Sequence, residues 1–354
     1  MLKIFDSMKK LIRVLLILLI LFGFAVCGHF CHKIFFPFNN SKNDETIEIK
    51  IKHGMSLRAI ADLLEIKGII RTKKDFIFIN KLFGNVNRLK AGKYDIPKGL
   101  SLYKVMKIIA AGKTTKINIV IPEGLISTQI ASILASKVEI DSIKFMRLIH
   151  DKSVLSNYGI NSNSLEGYLF PNTYYLYWGI SEKEIINIFV KEFYRNFTDS
   201  LRQIATAKGW SVPQILTLAS IIEGEAMIDS ERSIISSVYH NRLEKRMLLQ
   251  ADPTIQFIIS DGPRRLLKKD LALDSPYNTY RYPGLPPGPV NNPGIKSILA
   301  INPANDDYLY FVAKGDGTHI FSKSLTQHLN AKHDFDVYRK KISRKQSLNG
   351  RKIK

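Results

Sequence analysis

Cysteine is almost absent. The 354 residues hold only Cys27 and Cys31, so the rest of the chain can build neither a disulfide framework nor a cysteine-ligated metal site. The histidines nowhere take H-E-x-x-H spacing, which leaves a zinc hydrolase without support. Ser220 lacks the G-x-S-x-G surroundings of a nucleophile elbow, which argues against a serine hydrolase. Charge is missing from Val14 to Phe30, and acids are missing from Arg339 to Lys354, where eight Lys or Arg stand. The remainder has the composition of a globular protein, 45% hydrophobic and 23% charged, with room for more than one domain. A net charge of +21 suits nucleic acid, anionic lipid or an anionic polymer, and part of it belongs to an unstructured basic tail, 341–354.

The N-terminus narrows these partners. Lys3, Lys9, Lys10 and Arg13 precede "VLLILLILFGFAVCGHF", and with its apolar flanks the run at 13–36 is long enough to cross a bilayer. A cleaved signal peptide of this length would need a small-x-small site, and bulky residues follow instead. Val26 before Cys27 spoils a lipoprotein box. The expectation is an uncleaved anchor in the inner membrane, with residues 1–12 in the cytoplasm and the rest periplasmic. That placement removes nucleic acid as a partner. Cys27 and Cys31 then sit at the outer end of the anchor without a chemical role.

After a polar linker, 37–46, Ile47, Ile49 and Ile51 alternate as a half-buried strand. His53-Gly54 makes a turn, and Ser56 can cap a helix carrying Ile60, Ala61 and Leu64. The same pattern returns at Ile117, Ile119, Ile121, Gly124, Ile130, Ala131 and Leu134, so two strand–turn–helix units are expected. Between them "GKYDIP" reads as a short strand, with a helix from Ser101. Further along, a helix spans Ser181 to about Ala207, and "SVPQ" at Ser211 signals the start of another. A helix at about Ser230 to Lys245 follows. Six prolines between Ser275 and Gly294 rule out helix or central strand there, and a long loop inside a globular region implies function. "DYLYFVAKGDGTHIFS" reads as a hairpin, and a last helix runs from Leu325 to Tyr338.

The helix after Ser211 poses a chemical question. Glu223 follows Leu216 and Ala219 down one face, at the edge of an apolar stripe. Partial desolvation there would hold a proton on the carboxyl, as a general acid requires, and Gly224 would leave space for a bulky ligand. The competing reading is an ion pair with Arg232 or Arg242. Glu225, two residues on, reads as a solvated or ion-paired bystander, Asp252 as a turn anchor, and His319 as structural or at a rim.

Six blocks in order decide between these readings: "LEGYLFPNTY", "LASIIEGEA", "ERSIISSVYHNRL", "LQADPTIQF", "SPYNTYRYPGLPPGPVNNPG" and "YLYFVAKGDGTHIFS". From the anchor to about Tyr338 the chain resembles the endolytic murein transglycosylases of bacterial inner membranes. The resemblance places catalysis on Glu223, with Glu166, Asn241, Arg242, Gln250, Asp252, Thr254, Tyr277, Asn278 and Thr279 as the wall of a substrate groove. The family more often has Asp where Asn172 stands, so a second carboxylate at that position is absent. A lytic transglycosylase attacks with the sugar's own C6 hydroxyl, so one carboxylate suffices where hydrolytic glycosidases use two: the resemblance implies that Glu223 protonates the glycosidic oxygen and then accepts the C6 proton. No metal or cofactor is implied.

The expected architecture is α+β. An anchor leads to a LysM-like module at 47–112, either sugar-binding or a plain spacer, and then to a catalytic region at 113–340. The expected partners are peptidoglycan glycan strands, the inner membrane and peptidoglycan synthases. The alternative is an inactive, membrane-tethered glycan-binding scaffold.

Overall fold

The computed structural model describes residues 2–37, 45–52, 54–112 and 114–351. Most of the linker and His53 of the first turn lie outside the described residues. Two compact units divide the chain. One comprises Met1–Asn118, Lys137–Glu139 and Tyr175–Ile180; the other comprises Ile119–Ser136, Ile140–Tyr174 and Ser181–Lys354. The architecture is mixed α/β, and every named strand belongs to a two-stranded sheet.

The first unit opens with α1 (Leu2–Phe35), a single helix whose stretch Leu15–Phe35 is long and apolar enough to cross a membrane. Then come β1 (Thr46–Ile51), α2 (Leu57–Ile66), α3 (Lys73–Leu82), β2 (Gly92–Pro97) and α4 (Leu102–Ala111). The isoleucine alternation builds the sheet as expected. β1 pairs antiparallel with β2, Thr46 opposite Pro97 and Ile51 opposite Gly92. Ile49, Ile51, Tyr94 and Ile96 turn to the core, where Phe76 of α3 and Val105 of α4 meet them. Ser56 and Ser101 cap their helices by accepting from Ala59 N and Lys104 N. The helix α3 was not anticipated, although Thr72 is its cap and accepts from Asp75 N.

The next elements are β3 (Lys116–Ile121), α5 (Ser127–Val138), α6 (Ser142–Ile149), α7 (Lys152–Asn157) and β4 (Asn172–Tyr177). β3 pairs with β4. The internal repeat is real at the level of packing. Ile119, Ile121, Ile130, Ala131 and Leu134 are buried like Ile49, Ile51, Ile60, Ala61 and Leu64. Gly54 and Gly124 take the same left-handed turn, φ 78° and 77°.

The helix expected from Ser181 to Ala207 is in fact two, α8 (Glu182–Asn196) and α9 (Asp199–Ala207). Thr198 between them is extended, and Phe197 leaves helical geometry to bury its ring against Phe193. Next come α10 (Val212–Glu225), α11 (Arg232–Glu244) and α12 (Asp252–Ile258). After the proline-rich segment follow α13 (Ile295–Leu299), the antiparallel hairpin β5 (Tyr310–Ala313) and β6 (His319–Ser322), and α14 (Leu325–Arg351). The last helix runs past Tyr338 into the tail that was expected to be unstructured. Neither proline nor glycine stands between Leu325 and Asn349 to stop it. The core of this region gathers round α10, where Leu218, Ile221 and Ile222 meet Ile235, Tyr239 and Leu249.

No atom of the described residues lies within 4 Å of a Cβ built on Gly54, so only its backbone conformation requires glycine. Gly54→Ala is expected to lose about 1–2 kcal/mol of stability. The buried Trp178, which belongs to the same unit, reports this as a lower urea midpoint in fluorescence once Trp210 is replaced by Phe. An unchanged midpoint contradicts the assignment.

Candidate active site

α10 starts at a full capping box. Ser211 accepts from Gln214 N, the Gln214 side chain accepts from Ser211 N, and Pro213 sits in the first turn. Every residue from Ile215 to Ile222 is buried, so the helix is fixed up to the residue before Glu223. Its side chain is only 7% exposed. Oε1 accepts from Arg232 Nη1 at 3.1 Å and Oε2 accepts from the backbone N–H of Gly294 at 2.9 Å. Arg232 is anchored in turn by Asp229, at 3.1 Å, and by the Ser297 hydroxyl. The ion pair with Arg232, which the sequence offered as the competing reading, is therefore present. A guanidinium and an N–H are thus directed at the two carboxyl oxygens, and charge-assisted hydrogen bonds of this kind are among the stronger ones.

The proline-rich loop delivers Gly294. It forms neither helix nor strand, and its polar groups find partners one at a time, on side chains and on the backbone of neighbouring turns. Val290 N donates to Ser220 Oγ at 2.9 Å, and the Asn291 amide donates to Ser220 O at 2.8 Å. Ser220 is the loop's anchor on α10. Asn292 is fully buried; its Oδ1 accepts from Gly167 N and Leu169 N, while Nδ2 donates to Leu125 O and to Glu166. The Asn292 backbone pairs with the turn after β3: Gly124 N donates to Asn292 O, and Asn292 N to Leu125 O, both at 2.9 Å.

That turn carries Glu123, which the sequence reading overlooked. A Cβ built on Gly294 would fall on the Glu123 carboxyl. Gly294 has φ −75°, open to any residue, so glycine is needed there for the missing side chain and not for its conformation. Glu123 lies close enough to Glu223 for the Glu223 charge to matter: burial first, and that charge next, hold the Glu123 carboxyl above its ordinary range, against Arg232 and Lys296. The signal available in sequence was a carboxylate directly before the glycine of a repeated turn.

The residues expected to wall a groove divide into a buried frame and a few exposed groups. Glu166 takes both of its oxygens to Ser127 N. Asn241 donates to Asp306 O and Tyr308 O, and Arg242 to Leu309 O and Leu249 O. Thr254 and Thr279 bond each other at 2.9 Å, and Asn278 holds Leu271 O and Leu273 O. These hydrogen bonds fix the loops. Gln250 and Asp252 are exposed, Asp252 accepting from the Tyr280 hydroxyl, and Tyr277 packs its ring on Phe257.

Two expectations at the end of α10 need correction. Gly224 does not leave ligand space, since a Cβ there would lie 2.6 Å from Pro253 Cβ; it admits α12. Glu225 is not a solvated bystander. It accepts from the Tyr239 hydroxyl at 3.1 Å, and burial, with the Asp252 charge beside it, pushes its carboxyl up to about 7. His319 Nδ1 lies 2.7 Å from Glu231 Oε2. Asn172 donates to Glu192.

With this geometry, residues 49–334 match the YceG-like family. The chain belongs to that family. An endolytic murein transglycosylase of Bacillus subtilis (strain 168) is 35% identical over 307 residues, which is 82% of this chain and 85% of the relative. One of Streptococcus pneumoniae serotype 2 is 28% identical over 83% of this chain, and the match covers 60% of that longer protein. The crystal structure of a YceG-like protein from Listeria monocytogenes superposes with a TM-score of 0.58 at 35% identity, over 81% of this chain and 98% of that one.

Within this YceG-like chain Glu166 gives a pH signature separable from catalysis. Burial pushes its carboxyl from 4.5 up to about 7, against the donors from Ser127 and Asn292. The raised value means that the folded state holds a proton that the unfolded chain has already released. Stability is therefore fullest below pH 4.5, falls as pH rises from 4.5 to 7, and levels off above. The fall is up to about 3 kcal/mol. Glu225, likewise pushed up to about 7, acts in the same window, so Glu166→Gln is expected to reduce the slope there by about half in denaturant titrations run at several pH values; an unaltered slope contradicts the assignment.

Proposed function

We propose that this YceG-like chain is an endolytic peptidoglycan lytic transglycosylase. It cuts the bond between N-acetylmuramic acid and N-acetylglucosamine inside a glycan strand and leaves a 1,6-anhydro-N-acetylmuramic acid end. The observation that carries this reading is the Glu223 carboxylate, held by Arg232 and by Gly294 N–H at the end of a buried helix. The names of the relatives point the same way. In this reading the C6 oxygen attacks C1 as the glycosidic C1–O bond breaks, the leaving oxygen gains a proton, and Glu223 takes the one that the C6 hydroxyl loses, so no water is consumed. The substrate's N-acetyl carbonyl stabilises the positive charge on the sugar.

The apolar stretch Leu15–Phe35 supports a single-pass inner-membrane protein with its N-terminus in the cytoplasm and its catalytic region in the periplasm. Cutting would then be confined to nascent strands near the membrane, which fits ending strand elongation beside peptidoglycan synthases. The first unit supports a LysM-like, strand-binding role: its β–α–α–β order encloses a cleft of about 450 Å³ lined by Lys52, Met55, Lys90 and Thr114.

Purified full-length protein acting on sacculi is expected to release anhydromuropeptides, and Glu223→Gln is expected to lower release at least ~100-fold while strand binding persists. Mass spectrometry reads the outcome directly. Products heavier by one water would indicate a hydrolase, and undiminished release by Glu223→Gln would indicate that catalysis lies elsewhere.

A further inference from the structure

The Glu223 site supplies a base and an electrostatic partner, and both of its oxygens are already engaged, by Arg232 Nη1 and by Gly294 N–H. Breaking a glycosidic bond needs a proton on the leaving oxygen, and the geometry places another carboxyl beside the first. Glu123 sits on the tight turn between β3 and α5, with its carboxyl laid over Gly294 Cα. Gly294 is also the residue whose N–H holds Glu223. Both acids therefore converge on one backbone position, Glu223 from α10 and Glu123 from the turn that Asn292 holds against the proline-rich loop.

Resting on the reading of Glu223 as the base, we propose that Glu123 is a second catalytic carboxyl, the acid that protonates the glycosidic oxygen. Its surroundings suit the task. No donor among the described residues bonds its carboxyl, whereas the Glu223 carboxyl has two, and the residue is exposed to an incoming ligand. The charged groups facing it are Glu223 of α10, Arg232 of α11, Lys296 of α13 and Asp229 of the turn before α11. The two acids work against the two bases, and burial adds to the acids, so the Glu123 carboxyl is held up. Glycine at position 294 is the structural trace of this arrangement, since any side chain there would occupy the space that the Glu123 carboxyl takes.

The step balances without water. The Glu123 proton goes to the glycosidic oxygen, the C1–O bond breaks, and its electron pair stays on that oxygen, which departs as the alcohol of the next sugar. The C6 oxygen forms the new bond to C1, and its proton passes to Glu223. Glu123 is then ionised and Glu223 protonated, and return of that proton across Gly294 restores the starting state. Two carboxyls with divided duties are the pattern of hydrolytic glycosidases, here with the substrate's hydroxyl in place of water.

The test compares full-length wild type, Glu123→Gln and Glu223→Gln on isolated glycan strands and on a muramic acid glycoside bearing 2,4-dinitrophenolate, a leaving group that needs no proton. On strands, Glu123→Gln is expected to lower kcat at least ~100-fold with KM little changed, and the residual rate loses its alkaline limb. On the dinitrophenyl glycoside it should stay within about threefold of wild type, which only a correctly folded protein can do. Glu223→Gln is expected to fail on both. Strand cleavage by Glu123→Gln near the wild-type rate, with Glu223→Gln inactive, would overturn the Glu123 proposal alone. Activity of Glu223→Gln on both substrates would overturn the reading of Glu223. Equal losses on both substrates by Glu123→Gln would reduce Glu123 to a structural part.

Discussion

A carboxylate at the end of an apolar helix has to be met by donors, and the second unit is arranged around meeting that demand at Glu223. Taking an ionised carboxyl out of water without partners would cost far more than a domain's whole stability. Arg232 arrives because α11 begins just beyond the turn that closes α10, and Gly294 N–H arrives because a proline-rich loop is tied to Ser220. Removing either donor would leave a nearly buried charge half satisfied. The same demand explains why the loop is ordered without secondary structure. Its prolines forbid a ladder, so Ser220, Asn291 and Asn292 supply the missing partners one at a time.

That arrangement has chemical consequences. The loop that holds Glu223 also closes on the turn after β3, and so the second copy of the strand–turn–helix repeat brings Glu123 to the same point. In the first copy the equivalent glycine turn belongs to a unit built round the β1–β2 sheet, with a cleft of its own. One local structure thus serves two ends, and what differs is the long-range partner that each turn meets.

Much of the fold was legible. Alternating isoleucines, turn glycines and the Ser211–Gln214 cap depend on neighbours along the chain, and each formed where expected. The helix face raised the question of Glu223, the six blocks around it decided for that residue, and Arg232 was named with Arg242 as its alternative partner. What stayed hidden depended on distant residues. Glu123 gains its meaning from the missing side chain of Gly294, and Glu225 from Tyr239 and Asp252. Asn241, Arg242 and Asn278 have the polar chemistry of groove residues, but residue type does not say whether an amide faces a ligand or a neighbouring carbonyl. The break at Phe197 was equally invisible, since it is set by where one ring can be buried.

The convergence of Glu123 and Glu223 on Gly294 is tested most directly by Gly294→Ala. The backbone there has φ −75° and accepts alanine, the N–H to Glu223 is kept, and the three atoms nearest the new Cβ all lie at the end of the flexible Glu123 side chain. The measurement is turnover on glycan strands by the folded variant, with strand binding and thermal midpoint recorded alongside. A midpoint and binding close to wild type with turnover reduced at least ~50-fold is the predicted result. Unchanged turnover would contradict the account, because it would mean that the space above Gly294 has no part in the reaction.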